Sequence, residues 1–269
     1  MTPFDEGTLL RAAGAAPTVD IDALAAGGVL VLVPHPDDET LGCGAAIAAA
    51  CERGHAVHVI AVTSGDASHP GSRAWPPERL ARRRREELAA ARGILGDGGG
   101  DGGGDGGVTH EWLGYPDQGA PSVALAREDG LLERLLGTLR RLAPAHLWTT
   151  WGGDPHVDHR RCDALATALG DALGDALATG GGADVAMPHE TRFPVWGRFV
   201  EADDPPPSGT LLRFAPTARQ RALKARALAC HASQMGHLVD DDPEGFRMPD
   251  DMQRHFVEHD ELFLRLDRR

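Results

Sequence analysis

Val29-Leu30-Val31-Leu32-Val33 is a bare apolar run bounded by Gly28 and Pro34. A run without polar alternation predicts a strand buried on both faces. Residues 41–51 are alanine-rich and long enough for a helix that stops near Gly54, 56–62 read as a second strand and 108–113 as a third. Between these last two, Pro77 opens an Arg- and Glu-rich helix running to about Leu95. Residues 131–142 predict an amphipathic helix, 146–151 a short strand, 159 to about 177 a helix, 183–187 a strand and 218 to about 234 a helix. Strands alternating with helices imply a mostly parallel sheet covered on both faces. Residues 96–107 stand apart, with nine glycines and three aspartates. They predict a flexible surface loop, because a calcium-binding glycine-aspartate repeat would need interleaved apolar residues.

Composition narrows the class. With 42% hydrophobic and 25% charged residues, the 269-residue chain has ordinary globular usage. No stretch reaches the roughly 18 to 20 apolar residues of a membrane-spanning helix. Twenty-seven basic against 40 acidic residues leave a net charge of −13, which argues against nucleic acid or an anionic membrane as partner. Acids at Asp5 and Glu6 stand where an export signal would carry basic charge. The four cysteines (Cys43, Cys51, Cys162 and Cys230) form no CxxC pair and read as reduced, mostly buried thiols of a cytoplasmic protein. Whether the chain self-associates is left open by its sequence.

Two polar clusters follow predicted strands, where α/β sheets gather their chemistry. The first is His35-Pro36-Asp37-Asp38-Glu39, directly after the strand ending at Val33. So many ionisable groups against a buried strand are costly for stability alone. Adjacent carboxylates must point different ways, so one can bind a metal while the other transfers a proton. A polar helix N-terminus with Thr40 as cap would explain the acids but not His35. The second cluster, Asp154-Pro155-His156-Val157-Asp158-His159, carries two histidines three apart, which could share one face of an opening helical turn. By itself it could equally be a solvated turn. In the common doubly wound strand order, however, the first and fourth strands are neighbours, and the clusters meet across one crevice. Two histidines and a carboxylate with an open position are the usual catalytic zinc arrangement.

Residues 34–39 together with His156-Val157-Asp158-His159 resemble the PIG-L/LmbE-like zinc-dependent de-N-acetylases, which remove acetyl groups from N-acetylglucosaminyl conjugates. The likeness extends over about 29–234 and includes 223–234. It implies an α/β fold, Rossmann-like and doubly wound, in a single domain spanning 1–269 with its core at about 29–235. It also implies His35, Asp38 and His159 as ligands of a zinc ion, Asp37 as general base, and His156 at the oxyanion or the leaving group. Asp158 would orient a histidine, His156 being the one it would support. The glycine-aspartate insert and Val157, where a proline is frequent, depart from the family pattern without touching an implied ligand.

Bound zinc would lower the pKa of its water from about 15.7 towards 7, and His and Asp donors admit Fe2+ or another divalent ion as well. The partner implied is a small-molecule amino-sugar conjugate. An amidase of a thiol or pseudo-disaccharide conjugate remains open, as does a non-catalytic carbohydrate- or nucleotide-binding protein. The nucleotide version is weakened by the lack of a G-x-G-x-x-G turn. Arg73 resembles a family position that grips substrate hydroxyls or phosphate, and Asp117 could bond sugar hydroxyls. An exposed loop arginine and a plain turn aspartate explain these two equally well. Arg82–Arg85, with Glu78, Glu86 and Glu87 on the same helix, read as a solvated, salt-bridged face. Cys162 reads as core and His231 as a buried histidine behind the site. Trp75 and Trp196 read as an apolar wall of the crevice or as core.

Overall fold

The computed structural model describes residues 7–97, 107–179, 185–201 and 209–266. Residues 1–6, 98–106 of the glycine-aspartate segment and 183–184 of the expected strand lie outside these.

Seven strands form one sheet: β1 (Val29–Val33), β2 (Val57–Thr63), β3 (Val108–Tyr115), β4 (His146–Thr150), β5 (His189–Phe193), β6 (Gly209–Phe214) and β7 (Glu261–Leu266). Their order is β3-β2-β1-β4-β5-β7-β6. The first five are parallel and β7 runs antiparallel to both its neighbours, so the fold is α/β and doubly wound, as expected. The helices are α1 (Thr8–Ala13), α2 (Asp22–Ala25), α3 (Asp38–Glu52), α4 (Pro77–Gly96), α5 (Val123–Glu128), α6 (Leu131–Leu142), α7 (Val157–Ala178), α8 (Ala218–Cys230), α9 (Ala232–Met235) and α10 (Asp250–Glu258). The break between α8 and α9 falls at His231, where one continuous helix was expected.

The unbroken apolar run of β1 has a direct cause. Val29, Val31 and Val33 pack into a core with Ala45, Ile47, Leu88 and Phe256, whereas Leu30 and Leu32 pack on the opposite face with Leu135, Leu139, Leu165 and Leu169. Helices on both faces leave the strand no wet side. The alanines of α3 let it lie close to the sheet, and at Gly42 an added Cβ would stand 2.2 Å from the Phe193 ring.

The fifth strand is a correction. It occupies His189–Phe193, and the described part of the expected 183–187, residues 185–187, is not strand. Apolar runs do not reveal it, because its inward side chains include Glu190 and Arg192, 3% and 1% exposed. Arg192 bonds Glu190, Asp163 and Thr167, so a charged pair is buried with its partners. Strand β7 carries the sheet on to Leu266, beyond the expected core.

At the amino edge of the sheet, His146 is 5% exposed and its ring centroid lies 5.3 Å from that of His189. Burial lowers the His146 pKa to about 4, and the nearby His189, Arg265 and His55 push the same way, against a bond with the Ala26 backbone. The folded state keeps the ring neutral where the unfolded chain protonates it at an ordinary histidine value. Stability from this group is therefore complete above about 6.5 and is lost as the pH falls towards 4. Urea unfolding at pH 7 and pH 4.5 should show the wild type losing about 1–2 kcal/mol more than His146→Gln after allowance for solvent screening. Equal losses in the two proteins would remove this group from the acid sensitivity.

Candidate active site

Strand β1 ends in a turn that delivers His35, Asp37 and Asp38 to the first turn of α3. Asp38 Oδ2 accepts from the His35 backbone N–H and lies against His35 Nδ1, both at 3.0 Å. The other oxygen, Oδ1, lies 3.4 Å from Nε2 of the fully buried His159. One carboxylate thus stands between two imidazoles that are 124 positions apart in the chain. They meet because β1 and β4 are hydrogen-bonded neighbours at the point where the strand order reverses.

Each imidazole turns its second nitrogen to a different acid. His159 Nδ1 lies 3.4 Å from Asp154 Oδ2, and Asp154 is itself fixed by the N–H groups of Val195 and Gly197. His35 Nε2 lies 3.2 Å from Asp117 Oδ1 and 3.4 Å from Asp158 Oδ2. These approaches lack hydrogen-bond alignment, and His35 Nε2, both ring nitrogens of His159, Asp117 Oδ1 and Asp158 Oδ2 are buried without a hydrogen-bond partner. A carboxylate behind each histidine is the arrangement that orients imidazole ligands towards a metal. Ligand atoms of His35, His156 and His159 lie within 4.8 Å of one another, as do those of His35, Asp117 and Asp158. Histidine nitrogens and carboxylate oxygens so grouped suit a divalent cation such as zinc or iron(II).

The electrostatics favour positive charge at the same place. Burial opposes charge on His35, but Asp117, Asp158 and Asp38 outweigh it and hold the imidazole well above its ordinary range. Burial is likewise outweighed at His159, by Asp38 and Asp154. Asp38, which burial alone would raise, is held well below the usual carboxylate range by His159 and His35.

Asp37 behaves differently from its neighbour. Burial pushes its carboxyl up to about 6 against the pull of Arg84, with Asp38 adding to the rise. Its backbone sits at φ 136°, a region that side chains rarely adopt. His156, the N-cap of α7, accepts from the Asp158 backbone N–H through Nδ1 at 3.2 Å. That fixes the tautomer with its proton on Nε2. Burial lowers its pKa, and His35 and His159 add to the effect. The Asp158 carboxylate lies 3.4 Å from His35 Nε2, and its backbone N–H donates to His156.

A cavity of about 770 Å³ opens over this cluster, with His35, Asp37, Asp38, Asp117 and His156 on one side and Trp196 and Phe246 on another. The aromatic pair is edge-to-face, with centroids 5.7 Å apart. Trp75 is instead covered by Arg79, 4.0 Å above its ring. The segment bearing Phe246 was not anticipated. It has no periodic pattern and is held by long-range bonds: Phe246 N–H to Ser68 O, Met248 N–H to Gln234 O, and Asp241 accepting from Ser72, Arg73 and Ala74. Arg73 is exposed and contributes its backbone to that clamp; it does not line the cavity. Cys162 is fully buried in the apolar core. His231 is fully buried behind the turn, 3.5 Å from Glu39 Oε1 and 3.4 Å from Thr40 Oγ1.

The arginine run is a second correction. Arg83 pairs with Glu87 and Glu86 as a helix-surface residue does, but Arg84 is only 3% exposed and Glu87 only 2%. Glu87 accepts from the N–H and hydroxyl of Ser233. Arg84 reaches the Asp37 turn.

The family profile described as PIG-L, GlcNAc-PI de-N-acetylase, matches residues 30–169, which contain both clusters. A curated relative from Saccharopolyspora erythraea, 1D-myo-inositol 2-acetamido-2-deoxy-alpha-D-glucopyranoside deacetylase 2, is 32% identical over 158 residues. That stretch covers 51% of this chain and 54% of the relative, so the chain spans about half the length of the curated relatives it matches. Among solved structures, the N,N'-diacetylchitobiose deacetylase of Pyrococcus horikoshii aligns with a TM-score of 0.57 at 21% identity, covering 88% of this chain and 83% of that one. The 4-carboxy-2-hydroxymuconate hydratase of Pseudomonas putida aligns at 0.63 with 19% identity, covering 90% and 96%. At such identities a deacetylase and a hydratase share only the fold, and function has to be argued from the site. With just over half its length matched by the profile, the chain belongs to the PIG-L family.

Proposed function

We propose that the chain is a metal-dependent hydrolase that removes an N-acyl group, foremost N-acetyl, from an amino-sugar conjugate. The observation that carries this reading is the Asp38 carboxylate set between the buried imidazoles of His35 and His159, while the carboxylate of Asp37 turns elsewhere. The family description and the name of the Saccharopolyspora relative both specify an N-acetylated glucosamine unit joined to an inositol. That favours a conjugate of this kind as substrate.

His35, Asp38 and His159 would hold the cation, for which we propose zinc. A divalent cation there would lower the pKa of water and polarise the amide carbonyl. Asp37 would accept the proton of the attacking water and deliver it to the departing amine. Its carboxyl, raised to about 6, titrates close enough to neutrality for both transfers. His156, neutral and protonated on Nε2, would donate to the amide oxygen as negative charge develops, a contribution of about 3 to 4 kcal/mol for a well-placed donor. Asp158 and Asp154 would hold the ligand histidines in orientation. Asp117 and the Trp196–Phe246 wall would take the sugar and its aglycone, with Arg73 at the outer rim.

The test is release of primary amine from N-acetylglucosaminyl-inositol and related conjugates, before and after exhaustive chelation. Turnover should vanish on chelation and return with added zinc or iron(II). Full turnover in the chelated protein would overturn the proposal.

A further inference from the structure

The geometry points to Arg84 as the positioning residue for the Asp37 carboxylate, an assignment that rests on the hydrolase reading above. Of four consecutive arginines on α4, this one is withdrawn from solvent. Its Nη1 donates to Gly65 O at 2.7 Å, and its Nη2 donates to Pro36 O at 2.8 Å and Asp37 Oδ2 at 3.1 Å. A single planar guanidinium therefore ties the loop after β2 to the turn after β1 and binds one oxygen of the base. The other oxygen is left for proton transfer. Burying a guanidinium is costly unless its donors are met; here Nη1 and Nη2 find two backbone carbonyls and one carboxylate, while Nε is buried without a hydrogen-bond partner.

Asp37 needs such support. A non-glycine residue at φ 136° carries backbone strain that its surroundings must impose. From one side, Glu39 Oε2 accepts the Asp37 N–H at 3.1 Å, and Glu39 Oε1 in turn accepts the Thr40 hydroxyl at 2.6 Å. From the other side, Arg84 holds the preceding carbonyl and the carboxylate. Lysine, with one compact charge, cannot span the same partners.

Gly65 adds an independent mark. It sits at φ +60°, and a Cβ there would fall 2.0 Å from Arg84 Nη1 and 2.4 Å from Cζ. The space that glycine leaves is filled by the guanidinium. Gly65→Ala should therefore push the guanidinium off its partners without removing any charged group, with some added backbone strain at its positive φ.

The experiment assays wild type, Arg84→Lys, Gly65→Ala and Arg84→Gly as metal-loaded enzymes, with bound metal and thermal midpoint measured in each. Misplacing the base predicts a loss in kcat of about 10²-fold with KM and metal content unchanged. Arg84→Gly should regain part of its kcat in guanidinium salt below denaturing concentrations. Should Arg84→Gly fail to fold, Arg84→Lys and Gly65→Ala still decide the matter. Undiminished kcat in those two variants, a loss that follows metal content, or no rescue of a folded Arg84→Gly would overturn the assignment while leaving the hydrolase reading in place. A metal-loaded wild type without turnover would overturn both.

Discussion

Asparagine at position 37 should leave a loaded enzyme that scarcely turns over, whereas asparagine at position 38 should leave one that does not load. The two substitutions are chemically identical and one residue apart. In Asp37→Asn the amide oxygen can still accept from Arg84 Nη2, so the turn keeps its shape while the group loses its capacity to take a proton. Removing a positioned general base costs about 10²- to 10⁴-fold in rate, and KM should hold because the carboxylate is not a binding group. In Asp38→Asn, each carboxylate oxygen that met an imidazole is replaced by half of a neutral amide, one end of which now donates towards a histidine nitrogen. Bound metal, measured by elemental analysis after gel filtration, should fall below stoichiometric in this variant and stay stoichiometric in Asp37→Asn. If Asp38→Asn kept its metal and Asp37→Asn lost it, the roles of the two residues would be reversed.

What the sequence disclosed and what it hid follow one physical line. Both clusters are legible because the information is local: an apolar strand, then ionisable residues where the strand ends. Their meeting across the crevice follows from the doubly wound strand order. Strand β5 is hidden because its inward residues Glu190 and Arg192 are polar and pair with each other, with Arg192 also bonding Asp163 and Thr167 of α7, which are distant in sequence. Arg84 is hidden by its neighbours. Arg83 and Glu86 do form the surface pairs that the composition suggests, and the run is easily read as uniform. A signal was nevertheless present: Leu80, Arg84, Leu88, Ala91 and Leu95 recur at helical spacing, and all are buried. The Glu244–Met248 wall had no such signal, because loops held by side chains from elsewhere in the chain carry no period of their own.

Glu261→Ala should be among the most destabilising single substitutions in the protein, and the reason lies in α3, the helix that opens at Asp38. Helix α3 is kinked at Cys43, whose φ of −143° and ψ of 20° are not helical. The groups that would pair there in an i→i−4 ladder, Leu41 C=O and Ala45 N–H, have other partners. Lys224 Nζ donates to Leu41 O at 2.8 Å, and the Glu261 carboxylate accepts from Ala45 N–H and Ala46 N–H, each at 2.8 Å. The two side chains then meet each other at 2.7 Å, with 1% and 0% of their surface exposed. An ion pair is thus set into a helix ladder, and Arg198, also fully buried, adds positive charge nearby. Removing one partner of a buried pair costs about 3–5 kcal/mol, because the other charge is left without compensation. Loss of Glu261 should lie at the upper end, since it strands Lys224 and two buried amides together. Loss of Lys224 should cost less, because Glu261 keeps its two amide donors and Arg198. Glu261→Gln should approach the alanine variant: its amide nitrogen would face a donor whichever way it turned. Urea unfolding of Glu261→Ala, Glu261→Gln and Lys224→Met would order these costs, and a Lys224→Met variant less stable than Glu261→Ala would show that the ammonium, not the carboxylate, holds the kink.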